Sequence, residues 1–416
     1  MTTLPSILDR YKHLFSLFRS KVGLYDARVT EMSSAGDVLH LIRTGQAATR
    51  TDLRRITGLS RTAVVARVSA LVDAGLVMLG EELASTGGRP PGALVFNQDA
   101  GVVLAVAVGR SRSQLAIFDL EGRELAGDTR DHAPGISAEE LMPELVDRLR
   151  KMLEGVEPPV LGIGMSLPGI VDPVRHVSVD SPVMGGWDGV PLAPYFTALT
   201  DAPLVLANDA DTLARSELFG PGPHPTNALV VKASTGLGMG VIADGRVLHG
   251  HLGAAGEIGH TRLEGAGDLP CRCGSTGCLE TVAGGWALVQ RLVESGVEAG
   301  HVRDLVASAL AGDAVARGLL RESGRYVGEL LAIAINLLNP EVVVIGGDMG
   351  AAFDLYTAGV RESVYARSTA LATRELVFQP ARHADSSGLV GCAAIAIEHV
   401  LAPANIDRRL TSTVML

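Results

Sequence analysis

Residues 257–280 read E-I-G-H-T-R-L-E-G-A-G-D-L-P-C-R-C-G-S-T-G-C-L-E. His260, Cys271, Cys273 and Cys278 supply one imidazole and three of the chain's four thiols. That is a Cys₃His set of the kind zinc takes in a closed tetrahedral structural site. Gly274 and Gly277 let the backbone turn sharply between the second and third thiol. The competing reading is buried or disulfide-bonded cysteines. Three cysteines within eight positions, beside a histidine and a run of glycines, favour the metal, and one structural Zn²⁺ per chain is expected. The stretch also begins and ends on a carboxylate, Glu257 and Glu280, so a metal here would hold in place residues able to do something else.

Outward from this stretch, the bulk properties set bounds. A chain of 416 residues with 47% hydrophobic and 20% charged residues has ample core for two or three domains. No apolar run approaches a membrane span, so no membrane partner is expected. The N-terminus is broken by Asp9, Arg10 and Lys12 and lacks the apolar core of a signal peptide. Reduced thiols and no export signal place the protein in the cytoplasm, with Cys392, in an Ala/Ile-rich segment, as plain core. The net charge of −10 is uneven: residues 1–92 carry +4 and the remainder −14. An acidic body with a basic head puts any nucleic-acid contact on the head.

The head begins at Ser33. Val38, Leu39, Leu41 and Ile42 recur at helical spacing and Gly45 ends the run. A short helix follows over about 51–56 with Thr49 or Thr51 as N-cap, Gly58 makes the turn, and Ser60 caps a second helix to about Ala74. Val64, Val68, Leu71 and Val72 face inward. A strand from Gly75 returns, through S-T-G-G-R-P-P, as Ala93–Phe96. Helix, turn, capped helix and hairpin make a winged helix-turn-helix. Its segment 50–67 holds Arg50, Arg54, Arg55, Arg61 and Arg67 against Asp52 alone. Such helices present their N-terminal residues to base edges, which selects Arg61 and Thr62 next to the cap Ser60, with Arg67 one and a half turns on. Arg54 and Arg55 suit phosphates, Arg50 belongs to the same DNA-facing basic set, and Arg89 at the wing tip suits a minor groove. A solvated charged face on a small helical domain is the plainer alternative.

Beyond Asn97, strands over 102–108, 114–119 and 124–127 read as a meander, followed by a helix over about 137–153 and a strand at 160–166. The pattern restarts at 228–232, 240–243 and 246–248, with helices near 283–294, 301–311 and 313–338. A buried strand follows at 341–346 and a last helix at about 388–401. Two such halves argue for a two-lobed α/β body with a cleft between the lobes. The turn Ser234 to Gly240 can form an anion nest, although tight hairpins also use glycine. Asn208-Asp209 ends a strand and opens a helix: Asp209 suits a general base toward a ligand hydroxyl, and both residues equally suit helix caps.

Taken together, these pieces resemble the ROK family (repressors, open reading frames and sugar kinases), in particular its repressor branch of the xylose and N-acetylglucosamine types. The resemblance covers roughly 33–402. It rests on the head with its G-G-R-P wing, on Gly162-Ile163-Gly164-Met165-Ser166-Leu167-Pro168-Gly169, and on Asn208-Asp209-Ala210. Ser234 to Gly240, Glu257-x-x-His260, C-x-C-G-x-x-G-C and N-P-E-x-x-x-I-G-G complete it. It implies an actin/hexokinase-like α/β fold, a structural zinc and a sugar in the interlobe cleft, held by Asn208, Asp209, Glu257, His260 and Glu280. His260 would give one ring nitrogen to the metal and the other to the ligand.

Two departures bear on function. Kinases of the family carry D-x-G-G-T-K in the first phosphate loop, where this chain has Ala107-Val108-Gly109-Arg110-Ser111-Arg112. An arginine side chain obstructs a loop meant to wrap phosphate, though its charge can still hold an anion. Val183 also stands where the family usually supplies an asparagine. The expectation is a regulator without enzymatic activity, Asp209 being a vestigial base. It would bind a double-stranded DNA operator as a homodimer or homotetramer and respond to a sugar or sugar derivative. An ATP-dependent sugar kinase with an appended DNA-binding head, and a scaffold with a vestigial cleft, are the rivals. Expected boundaries are an extension over 1–32, the winged head over 33–96 and the sugar-binding body over 97–416. Within the body, a small lobe spans about 97–206 plus the helix near 388–402, and a large lobe about 207–387.

Overall fold

The computed structural model describes residues 33–82, 92–172, 175–179 and 184–413. The extension over 1–32, the wing tip with Arg89, and Val183 lie outside the described residues. The chain divides into one unit that runs to Ala100 and resumes at Glu398, and another, Gly101–Ile397.

In the first unit, helix α1 (Ala35–Arg43) starts at Ser34, whose hydroxyl accepts the Asp37 N–H while Asp37 accepts the Ser34 N–H. Helix α2 (Arg50–Thr57) starts the same way with Thr49 and Asp52, and Gly58 ends it in the left-handed region. Ser60 accepts the Ala63 N–H to open α3 (Arg61–Asp73). Each cap satisfies amides that the helix itself leaves orphaned. Val38, Leu39, Leu53, Val64, Val68 and Leu71 are buried together beneath the three helices. The antiparallel hairpin of β1 (Val77–Glu82) and β2 (Gly92–Phe96) pairs Val77 with Phe96, completing the winged helix-turn-helix. A C-terminal helix, Pro403–Thr413, which went unread in the sequence, joins this unit. Asp407 accepts the Gly36 N–H at 2.9 Å. Pro403 approaches so closely that a Cβ on Gly36 would sit 2.5 Å from its Cα.

The second unit holds two five-stranded sheets built to one plan. The strands of the first are β3 (Val102–Val108), β4 (Arg112–Asp119), β5 (Glu124–Asp131), β6 (Val160–Leu167) and β9 (Leu204–Asn208), and a small hairpin, β7 (Ile170–Asp172) and β8 (Val177–Val179), stands apart. Their order is β5-β4-β3-β6-β9, antiparallel through the meander and parallel from β3 onward. The second sheet runs β12-β11-β10-β13-β14 with the same switch at β10. It is made of β10 (Ala228–Ala233), β11 (Leu237–Ala243), β12 (Arg246–Val247), β13 (Val342–Gly346) and β14 (Val377–Pro380). The strands β3, β10 and β13 are nearly continuous apolar runs because helices cover both faces of a parallel core. This is the duplicated two-lobed plan that the paired meanders imply.

Helix α4 (Ala138–Leu153) packs on the first sheet, with Leu141, Leu145 and Leu149 buried. Its Arg148 is buried too, donating to Asp128 at 2.8 Å and to the Ser113 hydroxyl at 2.7 Å. Helix α5 (Asp209–Glu217) leaves the end of β9. The second lobe adds α6 (Gly285–Glu294), α7 (Val302–Leu310), α8 (Ala314–Leu338) and α9 (Phe353–Arg367). The last of these, and strand β14, went unread in the sequence. α8 and α9 pack backbone to backbone, since a Cβ on Gly324 would lie 2.3 Å from the Tyr356 carbonyl oxygen. Helix α10 (Ser387–Val400) carries Cys392, fully buried as expected of core. Among the described residues no single helix is long and apolar enough to cross a membrane.

Candidate functional site

Within the second unit, the carboxyl ends of the parallel strands from both sheets open on one cavity of about 500 Å³. That is where open α/β sheets place ligands, and the volume suits a small molecule. It is lined by the β3–β4 turn with Arg110 and Arg112, the β9–α5 junction with Asn208 and Asp209, and the β10–β11 turn at Ser234–Gly238. Glu257, His260 and Glu280 line it as well. The five residues that the resemblance assigns to a sugar are therefore gathered around one space.

The metal-type cluster borders the same space. The ligand atoms of His260, Cys271, Cys273 and Cys278 all lie within 4.8 Å of one another, an arrangement able to hold a metal ion. His260 Nδ1 is 3.6 Å from Cys271 Sγ, and Cys273 Sγ is 3.7 Å from Cys278 Sγ. No disulfide forms among these thiols. Gly274 and Gly277 adopt φ of 85° and 70°, so the two turns foreseen from the sequence are real left-handed positions. His260 uses its Nδ1 side toward the thiols while its ring also borders the cavity.

The carboxylates differ in their surroundings. Asp209 is the first residue of α5 and its Oδ2 lies 2.8 Å from Lys232 Nζ on β10. Burial works against the Lys232 ammonium, but Asp209, with Asp348 and Glu280 behind it, outweighs burial and holds its pKa above the ordinary lysine value. Glu280 is buried and spends both oxygens on protein donors. Leu237 N–H reaches Oε2 at 3.0 Å and the Trp286 indole reaches Oε1 at 3.0 Å. Glu257 has burial first, then the nearby Asp209, Glu280 and Asp211 charges, raising its carboxyl to about 7. Asn208 is the N-cap of α5, accepting from Ala210 and Asp211 N–H and donating to the Gly169 carbonyl at 2.8 Å.

At the other end of the cavity, Arg112 forms a two-toothed ion pair with Asp385, at 2.9 and 2.8 Å. Arg112 belongs to the first sheet and Asp385 follows the last strand of the second, so the pair ties the two lobes together. Ser234 donates its hydroxyl to Asp348. No role for Lys232, Trp286, Asp348 or Asp385 was legible in the sequence: the partners of Lys232, Asp348 and Asp385 lie 23, 114 and 273 positions away, and Trp286 meets Glu280 six residues back.

On the first unit, Arg54, Arg55, Ser60, Arg61 and Thr62 are exposed. Arg61 is the first residue of α3, and Arg50 is half-buried at the start of α2. Arg67 is turned back on the protein, donating to the Ser33 carbonyl and, at 3.2 Å, to that of Ala63.

Comparison with known proteins adds the following. A family model described as the ROK family matches residues 103–399. The xylose repressor of Caldicellulosiruptor bescii is 27% identical over 381 residues, covering 88% of this chain and 95% of the repressor. A crystal structure of a ROK family transcriptional regulator, a homologue of the E. coli MLC protein, superposes with a TM-score of 0.75 at 27% identity, covering 91% of this chain and 98% of its own. A ROK family glucokinase from Streptomyces griseus, solved with glucose and AMPPNP, superposes with a TM-score of 0.60 at 29% identity, covering 71% of this chain and 99% of the kinase.

Proposed function

The chain belongs to the ROK family, and from that premise we propose that it is a sugar-responsive, DNA-binding transcriptional regulator acting as a repressor. The observation that carries this reading is the union, on one chain, of a winged helix-turn-helix with a cleft lined by Asp209, Glu257 and His260. Coverage supports it: the repressor match takes in 88% of this chain and the glucokinase match 71%.

A sugar presents vicinal hydroxyls, best held by carboxylates and imidazole in a preformed cleft. Asp209, Glu257 and His260 are the principal holders. Glu280 keeps the β10–β11 turn in place and Asn208 fixes the start of α5, each with hydrogen-bonding capacity left for a hydroxyl. The metal is zinc, one structural ion per chain. At zinc bond lengths of about 2.3 Å to sulfur and 2.0–2.1 Å to nitrogen, a tetrahedron has sulfur–sulfur edges of roughly 3.8 Å and nitrogen–sulfur edges of roughly 3.6 Å. The separations of 3.7 and 3.6 Å fit both. With all four positions taken by protein the ion does no chemistry itself, and it would fix the His260 ring so that Nε2 remains for the ligand.

The regulator does not transfer phosphate. Phosphoryl transfer depends on placing phosphates and their Mg²⁺ in a closely wrapped loop, and here Arg110 and the Arg112–Asp385 pair occupy that turn. On DNA, Arg61 and Thr62 read bases while Arg54, Arg55 and Arg50 hold phosphates. A homodimer or homotetramer would present two heads to a pseudo-palindromic operator. Ligand changes operator affinity only to the extent that it binds the two protein states unequally. The test is operator binding by fluorescence anisotropy, with operators selected from a random pool, across a panel of sugars and sugar phosphates. Binding that ignores every ligand would sink the sugar response. Sugar-dependent ADP release abolished by Asp209→Asn would establish the kinase instead.

A further inference from the structure

Arg272 stands between two of the metal-type thiols, Cys271 and Cys273, and borders the cleft. Its guanidinium lies over the face of the Trp286 ring, 4.3 Å from the centroid. Trp286 is the second residue of α6 and is tied twice to the sugar end of the cleft. Its backbone N–H donates to the Thr235 carbonyl in the β10–β11 turn at 3.1 Å, and its indole N–H donates to Glu280 Oε1 at 3.0 Å. Glu280 is buried, and glycines fence it in. A Cβ on Gly236 would lie 2.9 Å from its Oε2, and one on Gly284 would lie 2.5 Å from its Cγ. Metal loop, indole ring and carboxylate thus meet in series.

An aromatic ring is negative on its faces and positive at its edge. A cation over the face and a carboxylate on the edge N–H therefore reinforce each other through the ring: density drawn toward Arg272 makes the indole a better donor to Glu280. Holding a long side chain in one place costs rotamer entropy, so the arrangement works only where the arginine starts from a fixed backbone. Arg272 does. It is flanked by two residues of the metal-type cluster, the Cys271 N–H donates to the Ser275 carbonyl at 2.8 Å, and the Cys271 carbonyl accepts the Gly274 N–H at 3.0 Å.

We propose that Arg272 is a positioning residue for the sugar: it steadies the Trp286 indole, which keeps Glu280 aimed at the ligand, so that the metal loop sets sugar affinity by a route separate from His260. This rests on the reading of the cleft as a sugar sensor and adds a residue to it. Because Arg272 acts on Glu280 through the ring, its effect on the ligand should vanish when the indole N–H does.

A double-mutant cycle read by calorimetry on the zinc-loaded full-length protein tests this, with xylose, glucose, N-acetylglucosamine and their phosphates as probes. Arg272→Met should weaken whichever of these binds wild type by about three- to tenfold while the variant keeps its full zinc content by atomic absorption. In the Trp286→Phe background, which keeps an aromatic face and lacks the N–H, the same substitution should cost almost nothing. Arg272→Lys should keep part of the affinity, which also covers the case in which the methionine variant folds poorly. A second readout is optical. The chain has two tryptophans and Trp187 is fully buried in the first lobe, so Trp286→Phe supplies the baseline for Trp286 emission. Returning zinc to metal-stripped protein should change that emission in wild type and leave it unmoved in Arg272→Met. Equal affinities in wild type and Arg272→Met, or a loss of the same size in the Trp286→Phe background, would overturn the inference and leave the sugar sensor standing. Zinc lost from both Arg272 variants, or an emission response that survives in Arg272→Met, would overturn it in the same way. Failure of every sugar on wild type would remove both readings.

Discussion

Replacing Asp209 by alanine takes away the carboxylate 2.8 Å from Lys232 Nζ and leaves the ammonium behind. At an effective dielectric of ~20, the attraction across that distance is about 6 kcal/mol. Desolvation of the two groups offsets most of it. The side chains of Lys232 and Asp209 keep 25% and 15% of their exposure, so solvent relieves part of the orphaned charge. The net loss should be about 2 kcal/mol, below the 3–5 kcal/mol of a fully dry pair. On a unit of this size, that lowers Tm by roughly 4 °C. Adding Lys232→Met removes the stranded charge, so the double variant should recover at least about 1 kcal/mol relative to the sum of the singles. Lys232 has its pKa raised by the fold. Its contribution is therefore fully present below the ordinary lysine range and is lost only as pH rises through the raised value. The Tm gap between wild type and Asp209→Ala should hold steady from about pH 6 to 9 and narrow only in strong alkali. Differential scanning calorimetry of the three variants and wild type decides the matter. Strict additivity of the two substitutions, or a gap that widens with pH, would refute the pairing as a source of stability.

Cys273→Ser should release the metal, measured by atomic absorption, and loosen the Glu257–His260 turn enough to weaken sugar binding, since metal binding and local folding are linked; full metal content in the variant would contradict this. Glu257, raised to about 7, accepts hydroxyls best when ionised, so sugar affinity should fall by at most about tenfold per pH unit below that value and flatten in Glu257→Gln. Because the folded state keeps that proton more tightly than the unfolded chain, Glu257 costs stability as pH climbs from the ordinary glutamate range through about 7. Without ligand, Glu257→Gln should then lose less stability than wild type over the same climb, as thermal unfolding at several pH values will show. On DNA, Arg61→Ala should relax sequence preference at one position, whereas Arg54→Ala should weaken all sequences alike and reduce the salt slope by about one, both read by anisotropy titrations.

Much of this protein is legible residue by residue. The caps Ser34, Thr49 and Ser60 announce the head's helices because a cap is a contact over two or three positions. The cysteine loop is legible because its three thiols and two turn glycines sit in one short run, and His260 follows Glu257 by a fixed step. The meanders show in short apolar runs set close together along the chain. Helix α9 does not show, because its buried side mixes Tyr356, Gly359, Val360 and Ser363 and has no apolar stripe. It is held by close backbone approach to Gly324 and Gly328 on α8, which no local pattern reports. The C-terminal helix escaped for a similar reason, its anchor being Asp407 on the Gly36 amide, 371 positions away.

Read alone, the residues already carry the family, the two-lobed plan, the winged head and which side chains are chemically able to hold a metal or a sugar. Each of those follows from residue type and short-range spacing. How those side chains are spent is set by the folded chain: Glu280 is committed to Leu237 and Trp286, Asp209 is neutralised by Lys232, and Arg112 is taken by Asp385. Pairings of this kind join strands from different parts of the chain, and electrostatics depends on distance in space, not on separation along the chain.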